Sequence, residues 1–145
     1  MAGWLLFSYK VPTEPSARRV YVWRKLKGLG AILLHDTVWV LPHTPQSLEN
    51  LQWLATDVCD MEGGSAMLWE AEQVFTGQTD KLEDQFVAQV DAQYREMLAA
   101  LDQPEPDLPA LAKRFQQVQR QDYFRSPLGE QVRVRLIEER GPDRK

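Results

Sequence analysis

Ala31-Ile32-Leu33-Leu34-His35, then Asp36-Thr37, then Val38-Trp39-Val40-Leu41-Pro42: two short apolar runs around a polar dipeptide decide how this chain folds. They read as a β-hairpin turning at Asp36-Thr37. Asp-Thr is a weaker turn signal than Asp-Gly, which leaves the register of the hairpin open.

Helical patterns flank the hairpin. Upstream, Ser16 follows the loop Pro12-Thr13-Glu14-Pro15 and offers an N-cap oxygen. Val22, Trp23, Leu26 and Leu29 then share one broad face of a helix that Gly28 and Gly30 end, since glycine accepts a left-handed C-cap. Downstream, Thr44-Pro45 starts a second helix, with Leu48, Leu51, Ala55, Val58 and Met61 at helical spacing and Gly63-Gly64 as its stop. Outside these lie two more strands. Trp4 to Pro12 is apolar almost throughout, as suits a central strand. Ala66 to Phe75 is the other, with Glu70 and Glu72 on one face toward solvent or a partner.

The resulting order, β-α-β-β-α-β, is that of the ferredoxin-like sandwich, an α+β fold, assigned here to residues 1–78. Two helices cover one face of the sheet. The other face is left for the chain's own tail or a second copy to cover.

Residues 79–145 read as a three-helix C-terminal extension packed on that domain. Asp80 with Glu83 makes a capping pair, and Leu82, Phe86, Val90, Tyr94, Met97 and Leu101 form a helical stripe. A linker with three prolines, Gln103 to Pro109, separates it from a helix carrying Leu111, Phe115 and Val118, which ends near Asp122-Tyr123-Phe124. Ser126-Pro127 starts the last helix, with Leu128, Val132 and Leu136 in register and Gly141-Pro142 as its stop. Residues 141–145 are expected to fray.

A chain of 145 residues, 43% hydrophobic and with five tryptophans, is long enough to bury a core without disulfides or metals. Cys59 is the only cysteine, so there is no disulfide framework and no cysteine-based zinc site. The apolar run Trp4 to Phe7 is far too short for a signal peptide or membrane span, and the chain reads as cytoplasmic, with no membrane partner. The formal charge of −4 hides an asymmetry: residues 1–35 carry +5, residues 36–108 carry −13 and residues 109–145 carry +4. This excludes a uniformly basic nucleic-acid binder but not a single basic face. A solvated surface with its charges in blocks has the same signature.

No catalytic constellation emerges. His35 and His43 lie on either side of the hairpin without a carboxylate at ligand spacing, and read as structural or surface residues rather than a metal pair. Gly28-Leu29-Gly30 closes a helix, whereas a phosphate cradle opens one. Cys59, beside Asp60, reads as half-buried and unreactive. Glu70 and Glu72 read as charges that solubilise a sheet edge. The expectation is therefore no enzyme, no cofactor and no metal.

The basic residues carry more. Lys10 closes the first strand, and Arg18, Arg19, Arg24, Lys25 and Lys27 decorate the first helix. Arg19 falls inside the apolar arc of that helix, so it is either paired or snorkelling, or it contacts an anion. Lys113, Arg114, Arg120 and Arg125, beside Tyr123 and Phe124, either line a nucleic-acid surface or pair with the acidic middle of the chain.

Taken together, Trp4-Leu5-Leu6 with Pro12, Pro15-Ser16, Arg19-Val20, Trp23-Arg24, Leu26, Leu29-Gly30-Ala31, Val38-Trp39-Val40-Leu41-Pro42 and Asp122-Tyr123-Phe124 resemble the N-terminal domain of ChrB chromate-resistance proteins. The resemblance covers nearly the whole chain. It implies a chromate-responsive regulator of chromate efflux, in which this domain binds DNA or assembles the regulator. Those proteins carry a second domain beyond this one, so sensing assigned to that half does not carry over. The first 75 residues also resemble the small ferredoxin-like nucleases of CRISPR adaptation and the module of the phenylacetate-pathway repressors. In the nucleases a tyrosine-aspartate pair ends the first strand and the aspartate binds the metal. Here the pair is Tyr9-Lys10, and a protonated lysine repels a divalent cation. The resemblances imply a homodimer with DNA or chromate as partner, and with the two basic blocks they point to Lys10, Arg18, Arg19, Arg24, Lys25, Lys113, Arg114 and Arg120 as contacts to phosphate or an oxyanion.

Overall fold

The computed structural model describes residues 3–75 and 81–141. The chain divides into two compact units, residues 1–77 and 78–145.

In the first unit β1 (Trp4–Lys10), α1 (Ser16–Gly28), β2 (Ile32–His35), β3 (Val38–Pro42), α2 (Pro45–Cys59) and β4 (Ser65–Ala71) follow in the expected order. The sheet runs β2-β3-β1-β4 with every pair antiparallel, which is the ferredoxin-like arrangement. Alternation sorts the side chains. Leu5 and Phe7 of β1 share a face with Leu41 and Trp39 of β3 and Leu68 of β4. With Val22 and Leu26 of α1 and Leu51, Leu54 and Val58 of α2, these make the apolar interior of the unit. The opposite face bears Leu6, Val40, Met67 and Trp69, of which Met67 is 62% and Trp69 45% exposed.

Local chemistry explains the element ends. Gly30, at φ 82°, allows α1 to close by two backbone bonds, Gly30 N–H to Lys27 O and Ala31 N–H to Leu26 O. Thr44 caps α2, its hydroxyl accepting from Ser47 N–H at 3.0 Å. The hairpin turns with Asp36 in the left-handed region at φ 54°, and a bulge between Leu33 and His35 fixes Leu33 opposite Trp39 and His35 opposite Val38.

Five local expectations need correction. Ser16 is the first helical residue and does not cap: Pro15 holds the cap position, and no side chain bonds there. Leu54, not Met61, fills the α2 stripe, because the helix ends at Cys59. Trp23 is half exposed, since α1 buries only Val22 and Leu26. Cys59 is exposed, one position past the buried Val58. β4 stops at Ala71, where its partner β1 runs out at Trp4, so Glu72 lies off the strand and does not share a strand face with Glu70.

The second unit is α3 (Leu82–Leu101), α4 (Leu108–Gln119) and α5 (Pro127–Arg140). All six apolar positions of the α3 stripe are buried, and Val90, Tyr94, Met97 and Leu101 among them cluster with Leu111, Phe115 and Val118 of α4 and Val132 and Leu136 of α5. Asp107 caps α4 by accepting from Ala110 N–H at 3.1 Å, and Ser126 caps α5 by accepting from Leu128 N–H at 3.2 Å. Asp80 of the expected capping pair, and residues 142–145, lie outside the described residues. Among the described residues no helix is long and apolar enough to cross a membrane.

Candidate functional site

One end of the sheet in the first unit opens into a cleft of about 710 Å³. β1 delivers Tyr9 and Lys10 to it as it ends, β3 delivers Trp39 near its start, and α1 lays Arg19 and Trp23 along the side. Leu33 and Met67, both largely exposed, complete an apolar rim. This explains the position of Arg19 inside the apolar arc of α1. Its stem lies beside Trp23 and Tyr9, and it stays exposed.

The floor holds an unusual group. Trp39 is only 3% exposed, yet its Nε1 is buried with no hydrogen-bond partner among the described residues. Burial pushes the pKa of the Tyr9 hydroxyl up, while the Trp39 indole N–H and the Arg19 charge draw it partly back. The indole N–H thus lies close enough to the Tyr9 hydroxyl to act on it, though not in the geometry of a full hydrogen bond.

The other sequence-predicted contacts are distributed elsewhere. Arg18 Nη1 donates to the Glu62 carbonyl at 2.8 Å, tying α1 to the loop after α2. Arg24 and Lys25 lie with Val20 and Tyr21 along a separate groove of α1. There Tyr21 donates to Asp57 Oδ2 at 2.7 Å, which raises its pKa, and Lys25 Nζ sits 5.6 Å from the Tyr21 ring centre. In the second unit Lys113 and Arg120 are exposed, whereas Arg114 pairs with Glu96. So the fold brings Lys10 and Arg19 to one cleft and does not gather the first-unit cations into one cluster.

Two aromatic residues expected beside the tail cations serve packing. Tyr123 and Phe124 are half-buried, with ring centres 6.0 and 6.2 Å from Phe86. Asp122 before them accepts from the buried Tyr94 hydroxyl at 2.9 Å and from Ser126 N–H at 2.9 Å, and the Ser126 hydroxyl donates to Asp91. The histidines are not brought together: His35 Nδ1 lies 3.2 Å from Asp36, and His43 Nε2 lies 3.4 Å from Glu70. Among the described residues no three His, Cys, Asp or Glu side chains are grouped as metal ligands.

Sequence reasoning named Lys10 and Arg19 but missed Trp39 and Trp23 as cleft residues. A signal existed for Trp39. An indole N–H inside a fully apolar strand needs an acceptor, and the flanking Val38, Val40 and Leu41 side chains offer none.

Comparison with known proteins adds a family. Residues 19–116 match the family model described as Protein ChrB, N-terminal. A stretch of 66 residues, 46% of the chain, is 41% identical to Protein ChrB of Cupriavidus metallidurans. The match spans 20% of that relative's length. No solved structure matches.

Proposed function

The chain belongs to the ChrB N-terminal family, and from that premise we propose that it is a recognition domain in chromate resistance, a non-catalytic part of a cytoplasmic, chromate-responsive transcription regulator that holds DNA by its phosphates. One observation carries this reading. The chain has more acidic than basic residues, yet Lys10, Arg19, Arg24, Lys25, Lys113 and Arg120 make no ion pair among the described residues, while Arg114, Arg133 and Arg135 do. Cations left without carboxylates in an acidic chain are available to phosphate, whose contacts position a protein on DNA without specifying sequence.

Lys10 stands at the end of β1 opposite Ser65, where the resembling nucleases place a metal-binding acid. Its ammonium holds a phosphate and repels a divalent cation, which favours recognition over cleavage. Met67 and Trp69 on the sheet face away from the core favour a homodimer through that face.

Titration of the chain with a mixed-sequence DNA duplex at several salt concentrations tests the reading. Binding should weaken steeply with salt, without strand cleavage when magnesium is added. Salt-independent binding, absent binding, or magnesium-dependent cutting that survives further purification contradicts it. Chromate as a direct partner predicts a rise in melting temperature when chromate is added, and an unchanged melting temperature removes it from the account.

A further inference from the structure

We propose that the cleft at the end of the sheet binds a small aromatic anion, its carboxylate or phosphate held by Arg19 and Lys10 and its ring lying against Trp23 and Leu33. This goes beyond the DNA-binding reading and stands on the cleft alone.

Size comes first. A cleft of about 710 Å³ falls within the usual range of small-molecule sites, about 300–1,000 Å³. A free tetrahedral oxyanion would occupy a small corner of it. Such an ion also needs donors on several sides, whereas here the charged donors, Lys10 and Arg19, share the cleft with a broad apolar wall. Trp23 is 51% exposed, Leu33 47% and Met67 62%, all at the same opening. Lys27 Nζ lies 6.0 Å from the Trp23 ring centre and helps hold that indole in place.

Charge sets the sign of the ligand. Two cations and one acid, Asp36, line the cleft, and Asp36 is highly exposed, 3.2 Å from His35. The balance favours an anion. The buried Trp39 Nε1 supplies the most specific argument. A buried N–H without a well-placed acceptor is unfavourable, and Trp39, which carries it, lines this same cleft. A ligand oxygen reaching the floor satisfies it, and the Tyr9 hydroxyl beside it provides a second polar contact.

The test is an NMR titration of the labelled full chain, following the indole N–H resonance assigned to Trp39 by its loss in Trp39→Phe. Naphthoate is the probe, with naphthalenemethanol and sulfate as controls. Naphthoate should move the Trp39 signal saturably, and Arg19→Ala should weaken binding about tenfold or more, as expected for a lost charge-assisted contact. Arg19→Lys, which keeps the charge, should recover part of the affinity. Adenosine monophosphate separates the two sources of such an anion: whichever probe binds more tightly identifies a nucleotide or an aryl carboxylate. An unmoved Trp39 signal with both probes overturns the proposal. So does sulfate binding as tightly as naphthoate, which makes the cleft a bare oxyanion site. Naphthalenemethanol binding as tightly as naphthoate overturns it too, because the cations would then contribute nothing.

Discussion

Tyr94 sits at the centre of the helical unit, fully buried, with its hydroxyl on Asp122 and its ring 6.1 Å from that of Phe115. Burial, and then the hydrogen bond to Asp122, push its pKa well above that of an ordinary tyrosine. The sign of the consequence follows. Unfolded tyrosine ionises near pH ~10, whereas the folded chain keeps the proton to higher pH. The stability tied to this group is full below that pH and is lost as pH rises toward the folded value. Tyr94→Phe should therefore flatten the fall of urea midpoint on the alkaline side, and should cost about 1–3 kcal/mol at neutral pH through the lost bond to a carboxylate. Gly129 adds a second prediction. A Cβ there would lie 2.9 Å from Tyr94 Cζ and Oη. Alanine in a helix normally gains up to ~1 kcal/mol over glycine, but the buried ring leaves no room, and overpacking costs about 1–3 kcal/mol. Gly129→Ala should lower the melting temperature, and a rise would contradict this packing. In the sequence, Asp122 stood out only as part of a helix end and of a family feature. The role of Asp122 was hidden because its partner lies 28 residues away. The sequence clue was a tyrosine in a core stripe, whose hydroxyl must find an acceptor.

Among the elements, α1 and α2 start in physically different ways despite similar sequences. Thr44 and Ser16 were equivalent cap candidates, each a hydroxyl next to a proline. For Thr44 the proline follows, at the first helical turn, and leaves the hydroxyl free to meet Ser47 N–H. For Ser16 the proline precedes and takes the cap position itself. Thr44→Ala should cost about 1 kcal/mol of stability, with Ser16→Ala close to neutral, read as urea midpoints. Equal losses would mean that Ser16 caps after all. Periodicity made the strands and helices legible, because each buries one face. It failed for β4 beyond Ala71, where the apolar Val74 and Phe75 continue a strand-like pattern with no partner strand left to pair. The cleft was half legible. Lys10 and Arg19 were conspicuous as charges, but the meeting of β1, β3 and α1 at one end is a product of topology that no local pattern encodes.

For the whole molecule, charge is the property that connects structure to function. The acidic middle of the sequence and its two basic flanks might have cancelled within the fold. They do so only in part. Arg114 and Arg135 find Glu96 and Asp102, while Lys10, Arg19, Arg24 and Lys25 in one unit and Lys113 and Arg120 in the other make no ion pair among the described residues. Each unit thus brings its own contribution, so cations in either should count toward DNA binding. Lys113→Ala with Arg120→Ala in the second unit should lower the magnitude of the salt slope by about 1 to 2, since each lost phosphate contact removes about 0.9. Replacing the already paired Arg114 should change it less. The most direct measurement is fluorescence anisotropy of a labelled DNA duplex against the full chain across a salt series. A plot of log affinity against log salt should fall linearly and become shallower when Lys113 and Arg120 are removed. A flat line, or no binding at low salt, would contradict phosphate recognition.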